Sequence, residues 1–310
     1  MSRVRSVLSW LFLSAIWGTA FMAIKAGLES FAEAPVLFAA LRYDLAGVLM
    51  LGYALLAVDR WRPKTRAEWL LSIVGGVFMI AGYHAFLFVG ELSTTSAVAA
   101  VVVSLSPILT TGFARVMLPG RALSTTGILG LTLGLLGVVI IAQPNLGSLL
   151  ETATVGEFLV FMAAVSFALG SVLATTFEAS LPIETMEAWS MVIGALLLHA
   201  ISFGLGEGAG TVTWSLEGLA ALGYLAIVSS ALGFLIYFDL LDRLGPVEIN
   251  LVSYAAPIWA ALSGWVVLGE SVSLRTGAGF LIILAGFWLI KREAIARELA
   301  GLGEVLGRED

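Results

Sequence analysis

The sequence predicts an all-α integral membrane protein in which ten transmembrane helices form two inverted five-helix repeats around a central cavity. Three observations support this fold class: the composition, the spacing of the charged residues and an internal repeat. Hydrophobic residues make up 59% of the 310-residue chain and charged residues only 12%, which is about half the charged fraction of a typical soluble domain. So much apolar side chain cannot be hidden in a soluble core of this size, and the composition therefore favours a bilayer.

Charge and cysteine content exclude several classes of partner and cofactor. The net charge is −6 and no basic tail is present, so nucleic acid is not an expected partner. The chain has no cysteine, which excludes disulfides, thiolate chemistry and cysteine-ligated metals. We expect no cofactor and no metal. The expected partners are the lipid bilayer and a small-molecule substrate, and the protein is expected to be a monomer.

Ten apolar intervals approach the roughly 20 residues that a transmembrane helix needs. These intervals are apolar on all faces, whereas a strand of a membrane barrel would alternate apolar and polar residues in segments of about ten. Because backbone groups in lipid need hydrogen-bond partners within their own segment, a continuous apolar interval is expected to be helical. The last interval is about 22 Å long as a helix and spans if the basic residues at its ends reach the surface. The intervals are Ser6–Ile24, Pro35–Val58, Trp69–Gly90, Leu92–Ala114, Ala122–Leu150, Phe158–Phe177, Ala188–Gly206, Gly218–Phe238, Ile249–Gly269 and Thr276–Ile290.

The distribution of basic residues predicts the orientation of these spans. With the N-terminus inside, most of the 16 Lys and Arg residues fall in inner segments, and the predicted outer segments hold only Lys25 and Arg275. Basic residues concentrate on the cytoplasmic side of membrane proteins. The sequence therefore predicts that both termini are cytoplasmic, in a bacterial-type inner (plasma) membrane.

An internal repeat has a spacing of 150 residues. Pro107 aligns with Pro257 at this offset, and Gly127 aligns with Gly277 without gaps. The first repeat is predicted to be residues 1–150, and residues 151–310 form the second with a short cytoplasmic tail. Because each repeat has an odd number of spans, the second must enter the membrane from the opposite side. Inverted repeats of this kind place substrate sites near the midplane, between the repeats.

Several short motifs carry a family resemblance over residues 7–291. They are Ile16-Trp-Gly-Thr-Ala-Phe-Met-Ala-Ile-Lys25, Phe38-Ala-Ala-Leu-Arg42, Ser253-Tyr-Ala-Ala-Pro257 and Leu268-Gly-Glu270. Their order and spacing resemble the EamA family of the drug/metabolite transporter superfamily, and within it the YddG-type exporters of aromatic and other neutral amino acids. The resemblance implies a secondary transporter that exports small neutral amphipathic metabolites by alternating access. The chain departs from the pattern at Leu118-Pro119-Gly120, where the repeat usually has Leu-Gly-Glu. The resemblance therefore does not predict the shape of that loop.

Aromatic and neutral polar residues form the predicted substrate pocket. Small and polar residues recur on one face of span 9, through Asn250, Tyr254 and Pro257, and on the matching face of span 4. We expect Pro107 and Pro257 to bend or gate their helices, because a proline inside a helix frees a carbonyl. The predicted substrate-binding residues are Trp17, Tyr83, His84, Ser104, Ser166, Asn250 and Tyr254.

Ionisable residues within spans are functional hypotheses by default because burying them is costly. Lys25, Arg42 and Asp44 are predicted charge contacts. Arg42 and Asp44 are two residues apart, about 200° around a helix, so each needs a partner elsewhere. For Lys25 and Arg42 two interpretations stay open: bonds to loop carbonyls, or contact with a substrate carboxylate. His84 is either a substrate contact and proton relay or a neutral histidine satisfied by a neighbouring helix.

Other functions find less support in the sequence. An exporter of diverse lipophilic drugs or other metabolites is the alternative. A membrane-embedded hydrolase is more remote: it would use Ser171 with His84 or His199, but neither a G-x-S-x-G elbow nor a His-Glu-x-x-His motif is present. The protein is therefore predicted not to be an enzyme. Because no carboxylate is predicted at the midplane, we expect a facilitator, or weak proton coupling through His84.

Overall fold

The computed structural model describes residues 3–118, 125–142 and 152–306, and this part of the chain is helical, without strands. We number its ten helices α1 to α10 in chain order. Three are interrupted: α3 and α8 by a π-helical segment, and α4 by a turn at residues 104–105. The helices are α1 Arg3–Leu28, α2 Pro35–Ala57, α3 Arg66–Glu91, α4 Ser96–Met117, α5 Thr125–Ala142, α6 Thr152–Ala174, α7 Ile183–Gly204, α8 Leu216–Gly223 continued by Tyr224–Leu232 and Gly233–Asn250, α9 Val252–Leu268 and α10 Leu274–Leu306.

Every predicted span corresponds to an apolar helix in the described part of the chain. Seven of the helices (α1 to α4 and α6 to α8) are long and apolar enough to cross a membrane, by length and composition. The other three contain shorter apolar helices, at Thr125–Ile141, Val252–Leu268 and Leu274–Ile290. The all-helical architecture predicted from the sequence is thus confirmed for the described residues, and the length and composition of these helices are consistent with a membrane protein.

Some helix ends differ from the predicted ones for local reasons. Helix α4 begins at Ser96 rather than at Leu92, because the Thr95 side chain accepts a hydrogen bond from the backbone of Val98 and caps the helix. The turn inside α4 comes just before Pro107, which cannot donate a backbone hydrogen bond and disfavours helical geometry in the residue before it. The flanks of predicted span 5, including Pro119 and Gly120, lie outside the described residues.

The π-helical segments occupy equivalent positions in the two halves of the chain. One is Gly75–Gly82 in α3 and the other is Tyr224–Leu232 in α8, about 150 residues apart. A π segment replaces the regular i→i+4 hydrogen bonds by i→i+5 bonds, and such segments often mark functional sites. Their spacing reproduces the repeat found in the sequence.

Helix packing follows the same repeat. Equivalent helices pair with each other, α2 with α7 and α5 with α10. Helix α1 of the first half packs on α8 and α9, and its equivalent α6 packs on α3 and α4. These main helix pairs are therefore unchanged when the two halves are exchanged, as expected for a duplicated unit.

Glycines bring α5 and α10 into backbone contact. A Cβ on Gly130 would lie 2.5 Å from the carbonyl oxygen of Gly286, and one on Gly137 would lie 2.7 Å from that of Gly279. Close approach of this kind needs residues without a side chain. Because residue numbers rise along α5 as they fall along α10, these equivalent helices run antiparallel.

Helices α2 and α7 are also antiparallel, with three contacts that fix their register. Glu207, just after α7, accepts a hydrogen bond of 2.7 Å from the backbone of Leu37 at the start of α2. Gly47 lies against Val192 in the middle. At the far end, Thr185 donates a bond of 2.6 Å to the carbonyl of Arg60. Two pairs of equivalent helices thus have opposite directions.

Loops predicted on the same side of the membrane contact each other. At the predicted outer end, the hydroxyls of Ser30 and Ser215 are 2.6 Å apart. At the same end, Glu270 accepts a bond of 3.1 Å from the backbone of Ser96 and so caps α4. At the predicted inner end, Trp189 donates a bond of 2.9 Å to the carbonyl of Trp61. The helices therefore connect two distinct clusters of loops.

Candidate functional site

Arg42 is a buried cation with neutral hydrogen-bond partners. From the middle of α2 its Nε donates to the hydroxyl of Ser230 at 3.1 Å, and its Nη2 donates to that of Ser229 at 3.3 Å. Both serines belong to the π segment of α8. The guanidinium carbon lies 5.2 Å from the centre of the Tyr43 ring, within the range of a cation–π contact. Among the described residues no carboxylate forms an ion pair with Arg42.

His84 connects to Arg42 through Tyr43. The Nδ1 atom of His84 lies 2.9 Å from the carbonyl oxygen of Ile80, which can only accept, so Nδ1 carries a proton. Its Nε2 lies 2.7 Å from the hydroxyl of Tyr43 and accepts from it in the neutral imidazole. Only 6% of His84 is exposed. Both ring nitrogens are thus satisfied, and Arg42, Tyr43 and His84 form one network across α2 and α3.

Trp17 and Ser166 hold the two π segments in equivalent ways. The indole nitrogen of Trp17, in α1, donates to the carbonyl of Ser229 in α8 at 3.2 Å. The hydroxyl of Ser166, in α6, donates to the carbonyl of Phe78 in α3 at 2.7 Å. Each donor lies on the first helix of one half and each acceptor lies in the π segment of the other half. Each bond thus supplies a hydrogen-bond donor to a carbonyl group within a π segment.

Aromatic rings lie on two sides of this network. The Trp17 ring is 5.5 Å from that of Tyr237 and 5.8 Å from that of Phe234. On the other side, the Tyr83 ring is 4.5 Å from that of His84 and 5.6 Å from that of Phe167. Such rings offer apolar area together with polar edges.

Ser104 and Tyr254 occupy a different region of the bundle. The Ser104 hydroxyl donates at 2.6 Å to the carbonyl of Val101 in its own helix. The Tyr254 ring packs 4.3 Å from that of Phe287 in α10, and its buried hydroxyl has no hydrogen-bond partner within the described chain. No hydrogen bond or ring contact between described residues joins Ser104 or Tyr254 to His84.

The other residues predicted on these helices are placed by the backbone. Asn250 is the last residue of α8, and its side chain lies outside the described part. Pro107 is in the first turn after the break in α4. Pro257 is inside α9. The two prolines thus differ in local geometry although they align in the repeat.

The predicted charge contacts Lys25 and Asp44 have defined partners. Lys25 donates from Nζ to the backbone carbonyls of Glu91 at 2.6 Å and Leu92 at 3.2 Å, which ties the end of α1 to the end of α3. Asp44 lies 2.7 Å from Nε2 of His199 in α7, on the exposed face of the α2–α7 pair. Arg42 and Asp44 thus turn to different helices, as their spacing on α2 requires.

Glu187 is a buried acid that sequence reasoning missed. It lies one turn into α7, is 7% exposed and makes no hydrogen bond or ion pair with a described residue. Intervals defined by the absence of charge had placed the start of this span at Ala188. The sequence did contain a signal for its burial: Glu187 lies at helical spacing from Met191 and Gly194, which are buried on the same face of α7.

Two copies of a helical unit, packed antiparallel around a buried polar network, are typical of membrane transporters that arose by duplication. The chain belongs to the EamA-like transporter family, whose pattern matches residues 5–143 and again residues 154–292. The family resemblance in the sequence is thereby confirmed. The protein is a multi-pass membrane transporter and not an enzyme, as predicted.

Several curated relatives are also transporters. The chain is 30% identical over 263 residues to "Uncharacterized inner membrane transporter YedA" of Escherichia coli K12, covering 84% of this chain and 82% of that protein. It is 28% identical over 293 residues to an "Uncharacterized transporter" of Archaeoglobus fulgidus, covering 92% and 99%. It is 28% identical over 298 residues to "Probable amino-acid metabolite efflux pump" of Salmonella typhimurium, covering 93% and 95%.

A solved structure shares the fold. It carries the name "Crystal structure of protein", has a TM-score of 0.64 and is 24% identical, with 96% of this chain and 99% of that one covered. The similarity extends over almost the whole of both chains, so the fold of this protein has an experimental counterpart.

Proposed function

We propose that the protein exports small neutral amphipathic metabolites, and specifically aromatic and other neutral amino acids, by alternating access. The observation that carries this proposal is the buried Arg42, which is held by neutral serine hydroxyls and has aromatic rings nearby. A buried cation without a counter-charge is costly, and the carboxylate of an amino acid would supply one. The rings around Trp17 and Tyr83 offer apolar area for its side chain.

The name of one relative supports the same substrate class. The Salmonella protein called a probable amino-acid metabolite efflux pump aligns with 93% of this chain. Amino acids with neutral side chains fit the site better than strongly anionic molecules, because a single guanidinium would leave additional negative charges unpaired.

For the membrane arrangement we propose ten spans in two inverted repeats, residues 1–150 and 151–310, in an inner membrane with both termini cytoplasmic. The antiparallel directions of α5 and α10 and of α2 and α7 support the inversion. Three contacts between loops predicted on the same side support the alternation of the spans. We further propose that the working unit is a monomer with a central cavity.

Alternating access requires points at which the bundle can rearrange. We propose that the π segments held by Trp17 and Ser166 are such points, together with the helix irregularities at Pro107 and Pro257. Ser104, Asn250 and Tyr254 stay predicted pocket residues on the helices that carry these prolines. They would approach the substrate in a state in which α4 and α9 have moved.

Export of lipophilic drugs is the second candidate, and one feature favours it. An open crevice of about 270 Å³ lies between α4, α9 and α10 and is lined by apolar residues with Thr276 as an exception. A lipophilic molecule could enter such a crevice directly from the bilayer, whereas a zwitterion could not.

Counterflow into proteoliposomes tests these two candidates. Vesicles loaded with unlabelled substrate are diluted into labelled phenylalanine, tryptophan, threonine or a lipophilic cationic dye. We expect accumulation of the amino acids, with phenylalanine and tryptophan ahead of threonine, and none in protein-free vesicles. Accumulation of the dye alone would refute the amino-acid proposal in favour of the drug exporter.

A further inference from the structure

We propose that two copies of the chain pair through the exposed face of α2 and α7, with Asp44 and His199 at the centre of the interface. The partner is thus a second copy of this chain, in the same orientation in the membrane. Each copy keeps its own complete candidate site, so the proposed working unit stays a monomer and the pairing goes beyond the proposed function.

The first support is a polar pair at a depth where lipid surrounds the protein. Asp44 lies about 14 Å along α2 from its predicted outer end, and His199 lies about 8 Å from that of α7. Both positions fall within a hydrocarbon core about 30 Å thick. The side chains of Asp44 and His199 are nevertheless 42% and 39% exposed. Lipid chains cannot hydrogen-bond to them, and ionisable residues in spans almost always face protein or a water-filled cavity.

The second support is the hydrogen-bonding capacity that the pair leaves unused. Nε2 of His199 lies 2.7 Å from Oδ2 of Asp44 and donates to it, because a carboxylate only accepts. Oδ1 of Asp44 and Nδ1 of His199 make no hydrogen bond with a described residue. Both ring nitrogens of an imidazolium donate. Each copy therefore presents a free donor and a free acceptor side by side on the exposed face.

The third support is that this patch complements itself under a two-fold rotation. Dimers of identical chains commonly use one patch on both sides of the interface. An axis along the membrane normal keeps Asp44 and His199 of both copies at one depth and reverses their order, so each acid faces the imidazole of the other copy. The four side chains then form a ring of alternating charge in which every carboxylate oxygen and ring nitrogen is bonded.

The surroundings of the pair supply apolar contact area. On α2 the pair is bordered by Leu45 and Val48, and on α7 by Leu196 and Phe203, all of which are exposed. In lipid, apolar surface alone does not drive helices together, whereas close packing and hydrogen bonds between polar side chains do. The apolar residues therefore allow the contact, and the polar pair fixes its position.

Lipid and a lipophilic amine are poorer occupants of this face. Lipid chains offer no hydrogen bond, and the headgroups lie outside the hydrocarbon core. An amine could bond to the free oxygen of Asp44, but it would repel the imidazolium of His199 and leave its free nitrogen unpaired. Only the second copy brings a donor and an acceptor together.

Cross-linking of single cysteines tests the interface. Because the chain has no cysteine of its own, a bis-maleimide can join only two copies. The probe is Leu55→Cys, since Leu55 is exposed about three turns from Asp44 on the same face of α2, near the inner end of the helix where water reaches it. The matched control is Val116→Cys, since Val116 is also exposed at the inner end of α4. In proteoliposomes at low protein density, we expect a covalent dimer from Leu55→Cys and not from Val116→Cys.

Single-molecule photobleaching in liposomes of decreasing protein density then gives the dissociation constant of the dimer. We expect His199→Leu to raise this constant by about tenfold, because two symmetry-related hydrogen bonds are lost. Melting temperatures verify folding. If His199→Leu does not fold, Leu196→Trp obstructs the interface by its bulk while the polar pair stays intact. The dimer should then be lost in Leu196→Trp and retained in Val116→Trp.

Three results would overturn the proposal. The first is an equal yield of cross-linked dimer from Leu55→Cys and Val116→Cys. The second is a single bleaching step for the wild type at every density, which would mean that lipid or a small amphiphile covers this face. The third is an unchanged dissociation constant in folded His199→Leu, which would place the dimer contact elsewhere.

Discussion

The Arg42→Lys variant tests whether the guanidinium of α2 receives a substrate carboxylate. Lysine keeps the positive charge but loses the planar fork of N–H donors. In the structure Nε and Nη2 of Arg42 bond to Ser230 and Ser229, whereas Nη1 makes no hydrogen bond with a described residue. Arginine can thus hold α8 and still present donors to a ligand, and a lysine ammonium cannot do both in the same geometry.

The size of the effect follows from the bonds that are lost. A hydrogen bond to a charged group contributes about 1.5–3 kcal/mol, so losing one bond to the substrate carboxylate weakens binding by about 10- to 150-fold. The two serine bonds are mostly replaced by one, which lowers the free energy of unfolding by about 1 kcal/mol. Substrate affinity should therefore fall much more than stability.

The assay is the half-saturating concentration of phenylalanine in counterflow, with a melting curve on the same preparation. Arg62→Lys, in the exposed loop between α2 and α3, is the control and should match wild type. Competition by 3-phenylpropionate, which lacks the amino group, should weaken in Arg42→Lys, and competition by phenethylamine, which lacks the carboxylate, should not. Equal weakening for both competitors would show that Arg42 only positions α8, and would refute its role as a carboxylate receptor.

Three further predictions follow from packing and topology. Gly286→Ala should destabilise the protein by about 1–3 kcal/mol, because the added Cβ would lie 2.6 Å from a carbonyl oxygen of α5. The control is Gly277→Ala, whose Cβ meets open space and should not lower the melting temperature. Equal changes in melting temperature for the two variants would contradict this packing. Tyr254→Phe removes a buried hydroxyl without a described partner, so stability should stay the same or rise by about 1 kcal/mol, whereas transport should slow because Tyr254 is a proposed pocket residue. Unchanged transport would show that the hydroxyl does not meet substrate. In the cysteine-free chain, an impermeant maleimide should label Glu33→Cys in intact cells and Arg62→Cys only after permeabilisation, and the reverse pattern would invert the proposed topology.

The helices and the duplication could be predicted from the sequence because both leave local signals. A helix in lipid must be apolar over its whole length, so charges such as Lys25 and Arg66 come close to the real helix ends. The alignment of Pro107 with Pro257 is a spacing in the chain and needs no structure. Family membership was accessible for the same reason, since the order of short motifs is preserved along one chain.

The partners of the buried charges could not be predicted in this way. Arg42 bonds to Ser229 and Ser230, which lie almost 190 residues further along the chain. The contact depends on how α2 crosses the π segment of α8, and π geometry has no clear pattern in the sequence. Glu187 was missed for a different reason: when spans are defined as intervals without charge, a buried acid inside a helix is assigned to a loop.

Equivalent positions of the repeat carry unlike residues at the site. Trp17 and Ser166 make the same bond to the π segments, but one is a large indole and the other a small hydroxyl. The rings of Tyr237 and Phe234 lie beside Trp17. The small Ser166 instead allows α3 to pack closely against α6 at Gly82. The scaffold is therefore close to symmetric while the site is not. An asymmetric site can bind a molecule with different ends in one orientation, which a symmetric site between identical repeats could not do.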